Sequence, residues 1–346
     1  YGVVKESTVH CVLKLRGGHG ERGAIQHVVD LQMGRGNVGP DVLKTEGRSY
    51  ALKAFGRKLK GSDQLKATIR KHFTGNDQQW EQWWARNRLH ISSVIQETTH
   101  SGNCGDFAQV VASSLVNNTT GQYVYQIVMT GTCPGPTKNP DCTFKKPHSY
   151  DHQLCVTYPI EDAKNGIKRS DKKMRALTLP GMDPAVATVA DGWHNHRVIT
   201  LGKWMDAGGN CYHKVGFANL KIVAIDKCGA VKLSDNARQI IAEAVEEEIA
   251  EHEKTDDFAF DRFIAVWDAV PKEEKKKGGG FVAQKYGLVE DGEGFQALLK
   301  SMEAVFNKKR DSFRNAFRKH YQGYAAASNK KQYLKQLDKK MKGLKW

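Results

Sequence analysis

Ser101-Gly102-Asn103-Cys104-Gly105-Asp106, followed at once by Phe107-Ala-Gln-Val-Val-Ala-Ser-Ser-Leu115, is the stretch on which the fold turns. Apolar residues at 107, 108, 111, 112 and 115 keep helical spacing, so a helix is predicted to begin where the glycine-flanked loop ends. A cysteine at that junction gains twice. Free helix N–H groups and the positive end of the macrodipole favour a thiolate, lowering a pKa that starts near ~8.5. The same N–H groups can donate to an oxyanion on a substrate carbonyl. Glycines on either side let the backbone turn sharply and leave room for a substrate. Asp106 is expected to stabilise the helix start, not to react.

A nucleophilic cysteine needs a base, and the base needs a third group to hold it. Downstream, Asp151-His152-Gln-Leu-Cys-Val-Thr-Tyr158 places His152 at the start of an alternating strand. Asp191-Gly-Trp193 follows the next apolar strand, Pro184–Ala190. Neighbouring antiparallel strands could bring these two side chains together. His148, His194 and His196 compete for the base, and Asp191-Gly192 is also a common turn pair. Further strands are predicted at Tyr123–Thr130 and Leu220–Ile225, after a Trp-rich helix carrying Trp80, Trp83, Trp84, Leu89, Ile91 and Val94.

A Gly-x-Cys-Gly-Asp helix start, a later His opening a strand and a later Asp followed by Trp resemble the transglutaminase-like, papain-fold superfamily. The resemblance spans residues 85–200 and implies an α+β fold, a nucleophile helix packed on an antiparallel sheet, with a C-terminal helical region added here. It implies roles for Cys104 as nucleophile, His152 as general base and acid, and Asp191 as the group orienting the imidazole. Gln96 is the upstream oxyanion-donor candidate. Residues 131–142, Gly-Thr-Cys-Pro-Gly-Pro-Thr-Lys-Asn-Pro-Asp-Cys, form an insertion between Cys104 and His152. The expected activity is thiol-dependent chemistry on a protein amide, and protease, glutamine deamidase and transglutaminase stay open. Such domains occur in effectors and toxins that act on host proteins, which implies a cytoplasmic site of action and secretion into a host cell.

At the other end, Lys5-Glu6-Ser7-Thr8, His10, Val12-Leu13 and Leu15-Arg16-Gly17-Gly18 resemble the C-terminal part of ubiquitin. A last strand cannot fold alone, so residues 1–18 are expected to end a ubiquitin-like module that begins upstream of Tyr1. The junction after Gly17-Gly18 implies processing, by Cys104 itself or by a deubiquitinase. Residues 19–75, rich in Gly, Lys and Arg, are predicted to be a linker or poorly ordered. Residues 76–230 form the catalytic domain in this reading, and 231–346 a helical C-terminal region. That region holds helical stretches at 236–268 and 292–346, with a flexible break at Pro271–Gly280.

Bulk composition sets the limits. The chain has 346 residues, 40% hydrophobic and 26% charged, which is a globular profile and not a disordered one. No run reaches the ~18 apolar residues of a membrane span. A net charge of +15 attracts polyanions, so the rival reading is a ubiquitin-fused basic nucleic-acid-binding or ribosome-associated protein without catalysis. Seven cysteines, an odd number without paired spacing, argue for a reducing compartment. Cys133 with Cys142, or Cys211 with His213, lack the second close pair of a zinc site, so neither metal nor cofactor is expected. Gly34, Gly36 and Gly39 match G-x-G-x-x-G but precede Pro40 with no long helix opening there, and carry no nucleotide site.

Overall fold

The computed structural model describes residues 20–133, 148–159, 185–193, 197–201, 203, 219–277, 279–288, 319–320, 322–324 and 326–342. Residues 1–18, the insertion beyond Cys133, His194, His196, Cys142, Cys211 and His213 lie outside them. The architecture is α+β. The chain divides into two units, one of residues 1–33 and 59–245, the other of 34–58 and 246–346.

The first unit holds a five-stranded sheet built from β1 (Tyr123–Cys133), β2 (His148–Tyr158), β3 (Thr188–Asp191), β4 (Arg197–Thr200) and β5 (Asn219–Lys227). Its spatial order is β4-β3-β2-β1-β5, and every neighbouring pair is antiparallel. Val, Ile, Tyr and Thr fill these strands, side chains that fit a pleated, half-buried surface. In the register, Met129 lies opposite His152, and Cys155 opposite Ala190. His152 is therefore inside β2, four residues past its start, and Asp191 is the last residue of β3.

Among the described residues this unit holds α1 (Gly20–Asp30), α4 (Asp63–Arg70), α5 (Asp77–Arg86), α6 (Arg88–Thr99) and α7 (Cys104–Asn118). The predicted Trp-rich helix is two helices, broken at Asn87, which ends α5 and begins α6. Helix α7 is the core element. Phe107, Ala108, Val111, Ala112 and Leu115 pack with Ala24, Ile25 and Val28 of α1 and with Val124, Cys155 and Ala190 of the sheet.

Residues 19–75 are not a linker. Helices α1, α2 (Gly39–Lys44), α3 (Arg48–Leu59) and α4 occupy residues 20–70. Their apolar residues sit at helical intervals (24, 25, 28; 51, 52, 59; 65, 69) and are buried. Burying Ile25 and Val28 alone contributes about 1.5–3 kcal/mol each. Exposed basic residues such as Arg57 and Lys58 between the apolar positions, and a buried lysine and glycine, Lys53 and Gly56, within one helix, mask the periodicity.

The second unit joins α2 and most of α3 to α9 (Asp256–Ala269), α10 (Lys272–Lys275), α11 (Gly279–Lys285) and α12 (Lys330–Lys342). Helix α8 (Asp235–Glu253) begins in the first unit and ends in the second. Phe260, Phe263, Trp267, Val282, Tyr324 and Leu337 form its core, with Leu43 of α2 against it. The boundary expected at 231 is thus displaced, because residues 34–58 complete the C-terminal helices. The break predicted at 271–280 is instead two short helices, with Glu274 of α10 paired to Lys285 of α11 at 2.7 Å. The apolar stripe from Phe295 to Tyr321 lies outside the described residues.

Candidate active site

Helix α7 begins at Cys104 because Asn103 caps it. The Asn103 side chain accepts from the Asp106 N–H at 3.2 Å, and the Asp106 carboxylate accepts from the Asn103 N–H at 2.9 Å. This reciprocal box satisfies two donors and fixes the entry angle of the chain. The N–H groups of Cys104 and Gly105 stand at the first two helical positions, where no intrahelical acceptor exists. The turn into this loop is made by His100, a non-glycine residue at φ 48° whose Nδ1–H donates to the Leu31 carbonyl at 3.0 Å. Such a backbone costs about 1–2 kcal/mol and persists only where its surroundings hold it.

Three separate segments then converge. His152 Nε2 lies 2.8 Å from Asp191 Oδ2, with the two residues 5% and 3% exposed. The same imidazole interacts with the Cys104 side chain through a hydrogen bond and charge. Since Nε2–H is committed to the carboxylate, Nδ1 is the ring nitrogen left for the thiol. Burial works against the imidazolium, but the charge of Asp191, its hydrogen bond and the Cys104 contact outweigh it and raise His152 to about 10. Asp191 is itself oriented, since its Oδ1 accepts from the Trp193 N–H at 3.0 Å. The Trp193 ring meets Phe107 edge-on, centroids 5.1 Å apart, which locks that turn onto α7.

Cys104 is partly exposed, whereas Cys155 and Cys228 are buried. Gly105 has a packing reason as well: a Cβ there would lie 2.8 Å from Gln153 Oε1, beside His152 in sequence. His148 opens β2 opposite Cys133, four residues from His152 along the strand.

Gln96 does not supply an oxyanion donor. It is fully buried, and its amide spans two internal partners: Nε2 donates to the Ser101 carbonyl at 2.7 Å and Oε1 accepts from Lys60 Nζ at 3.0 Å. A side chain sealed this way holds the loop and touches no substrate. The donors facing the thiol are the N–H groups of Cys104 and Gly105. Sequence reasoning misses Lys60. It sits in a stretch that reads as linker, and a single lysine carries no motif.

Among the described residues no helix is long and apolar enough to cross a membrane, and no cluster of three His, Cys, Asp or Glu side chains could hold a metal ion. No family model matches the chain, and no curated protein and no solved structure matches it either.

Proposed function

We propose that the chain is a thiol-dependent enzyme of papain/transglutaminase-like type that acts on protein amides through Cys104, His152 and Asp191. The observation that carries this reading is one buried imidazole shared by a carboxylate and a partly exposed thiol at a helix start. The Cys104 sulfur adds to the amide carbon and the oxygen takes the negative charge within reach of the first-turn N–H groups. As the C–N bond breaks, His152 gives its proton to the leaving amine, leaving a thioester. His152 then takes a proton from the incoming nucleophile. Water on a peptide bond gives a protease, water on a glutamine side chain a deamidase, and a lysine amine a transglutaminase. The ubiquitin-like tail adds the proposal that the enzyme is an effector or toxin released after Gly18, by a deubiquitinase or by Cys104. Helix α1 starts only two residues past that bond.

The test is the pH dependence of iodoacetamide labelling at each cysteine, read by peptide mass spectrometry in wild type and His152→Ala. Fast labelling of Cys104 near neutral pH that slows without His152 supports an activated pair. Labelling no faster than the other cysteines and indifferent to His152 sinks the proposal.

A second reading rests on α12. Lys331, Lys335 and Lys339 are exposed at i, i+4 and i+8. Like charges at that spacing repel, so an anionic partner relieves them. If this stripe binds nucleic acid, single-stranded oligonucleotide affinity falls steeply with salt. Changing the three lysines to Gln then abolishes that affinity and leaves Cys104 labelling unchanged.

A further inference from the structure

Behind the thiol loop lies a second polar cluster with a single cation at its centre. Lys60, 18% exposed at its side chain, donates to Asp106 Oδ1 at 2.8 Å, to Gln109 Oε1 at 2.6 Å and to Gln96 Oε1 at 3.0 Å. An ammonium has three hydrogens, and three acceptors converge on it. Two of these acceptors reach onward to the loop. Asp106 Oδ2 accepts from the Asn103 N–H, and Gln96 Nε2 donates to the Ser101 carbonyl. Both backbone atoms are thus tied to one cation, and they bracket the loop that ends at Cys104.

The charge matters as much as the geometry. Asp106 is 4% exposed and stands two residues beyond Cys104. A buried carboxylate there, left alone, opposes a thiolate at the helix start and cancels the attraction of the first-turn N–H groups. The charged groups around the thiol are then His152 from β2, Asp191 from β3, and Asp106 and Lys60 beneath it. One imidazolium already faces two negative groups, the thiolate and Asp191, so an Asp106 without its own cation would add a third.

We propose that Lys60 is the positioning residue of this thiol site: it fixes the conformation of residues 101–103 and neutralises Asp106 so that the negative charge of the loop resides on Cys104. This inference rests on the reading of Cys104 as the nucleophile. It assigns the segment before the catalytic core a part in the chemistry, without contact to substrate.

The experiment is the pH profile of Cys104 iodoacetamide labelling in the full chain, with Cys155 labelling as an internal check of folding. Lys60→Met leaves Asp106 uncompensated and raises the labelling midpoint by about one pH unit, a roughly tenfold slower reaction at any pH below both midpoints. Lys60→Met with Asp106→Asn brings the midpoint back towards wild type. Asp106→Asn alone can keep the Asn103 capping contact through its one amide oxygen, gives up the acceptor facing Lys60, and moves the midpoint down. Should Lys60→Met fail to fold, as seen in exposed Cys155, the opposite shift in Asp106→Asn still decides the matter. A merely structural lysine predicts slower labelling with an unmoved midpoint and no restoration in the double variant, and that result overturns the proposal. An unmoved or raised midpoint in Asp106→Asn overturns it too. Failure of the nucleophile reading looks different, because wild-type Cys104 would then be indifferent to His152→Ala.

Discussion

Replacing Asp191 by Asn keeps the shape of the site and removes one charge. His152 stands at about 10 against an ordinary 6.5, a preference for the imidazolium worth roughly 4–5 kcal/mol at ~1.4 kcal/mol per unit. Two unit charges about 4 Å apart at an effective dielectric of about 20 attract by about 4 kcal/mol, so the Asp191 charge is the largest favourable part, with its hydrogen bond and the Cys104 contact offsetting the cost of burial. In the Asp191→Asn variant, burial is opposed by the Cys104 contact alone and the ring midpoint falls back towards its ordinary 6.5. At pH 7 the imidazolium is then a minority species. Cys104 then loses the cation that favours its thiolate, and its labelling at pH 7 slows by about tenfold for each ~1.4 kcal/mol of pairing lost. The assay is pseudo-first-order iodoacetamide labelling from pH 5 to 10. Stability carries a second signature. A folded-state midpoint above 6.5 means that the contribution of the pair is complete below about pH 6.5 and is lost as pH rises through about 10. The difference in urea midpoint between wild type and Asp191→Asn therefore shrinks from pH 6 to above pH 10. A wild-type labelling rate in the variant, or a stability difference constant across that range, refutes the reasoning.

Three further outcomes follow from neighbouring contacts. Gly192→Ala places a Cβ 2.9 Å from Val111 Cγ2 and 3.5 Å from Val28 Cγ2, overpacking that lowers stability by about 1–3 kcal/mol in urea titration; a change under about 0.5 kcal/mol contradicts it. Glu97 is buried with Arg238, His27 and Ser93, and although burial opposes its charge, Arg238 and His27 hold its carboxyl well below the usual range. Glu97→Gln therefore costs about 3–5 kcal/mol above pH 4.5, and the cost persists well below pH 4, since a depressed carboxyl loses its contribution only on passing its folded midpoint. A cost already gone at pH 4 rules this out. Cys155 donates to the Ala108 carbonyl at 3.1 Å, and burial pushes its thiol up, so native protein labels there only on unfolding, with a urea dependence matching the global transition. Labelling as fast as at Cys104 in native buffer would argue against the packing described.

The chemistry is easier to read from the sequence than its support. Cys104 is legible because glycines flank it and the apolar spacing changes to 3.6 immediately after it. His152 is legible because it stands on an alternating strand and Asp191 because it follows the next apolar one, and antiparallel pairing of β2 with β3 brings the two within 2.8 Å. Read locally, the strand begins at His152. In the sheet it begins four residues earlier, because Asp151 and Tyr150 pair with Thr130 and Gly131 of β1, long-range partners that no local pattern announces. Gln96 has the right chemistry for an oxyanion donor, and only burial shows that its amide faces Ser101 and Lys60. The segment after Gly18 reads as linker for a related reason. Its helices are short and basic, and their stability comes from tertiary packing of two or three apolar residues each, not from intrinsic propensity.

The packing of that segment has a measurable consequence. The sequence alone suggests cutting at residue 76 to isolate a catalytic domain. A 76–245 fragment would lack Ala24, Ile25 and Val28, which pack against α7, together with Leu65 and Ile69 of α4, both buried. Four of these are full aliphatic side chains, so at about 1.5–3 kcal/mol each the loss is about 6–12 kcal/mol. That equals the whole stability of an ordinary domain, about 5–15 kcal/mol. The fragment also loses Lys60, leaving Asp106 as a buried charge without its cation at the start of α7. The fragment is therefore expected not to fold: Cys155 labels at once and near-UV circular dichroism is absent, whereas a chain starting at Gly20 keeps Cys155 protected and the dichroism intact. A 76–245 fragment with Cys155 protected and His152-dependent labelling of Cys104 would mean that α1 and Lys60 are accessories to a self-sufficient core, and the positioning role argued for Lys60 would fall with that result.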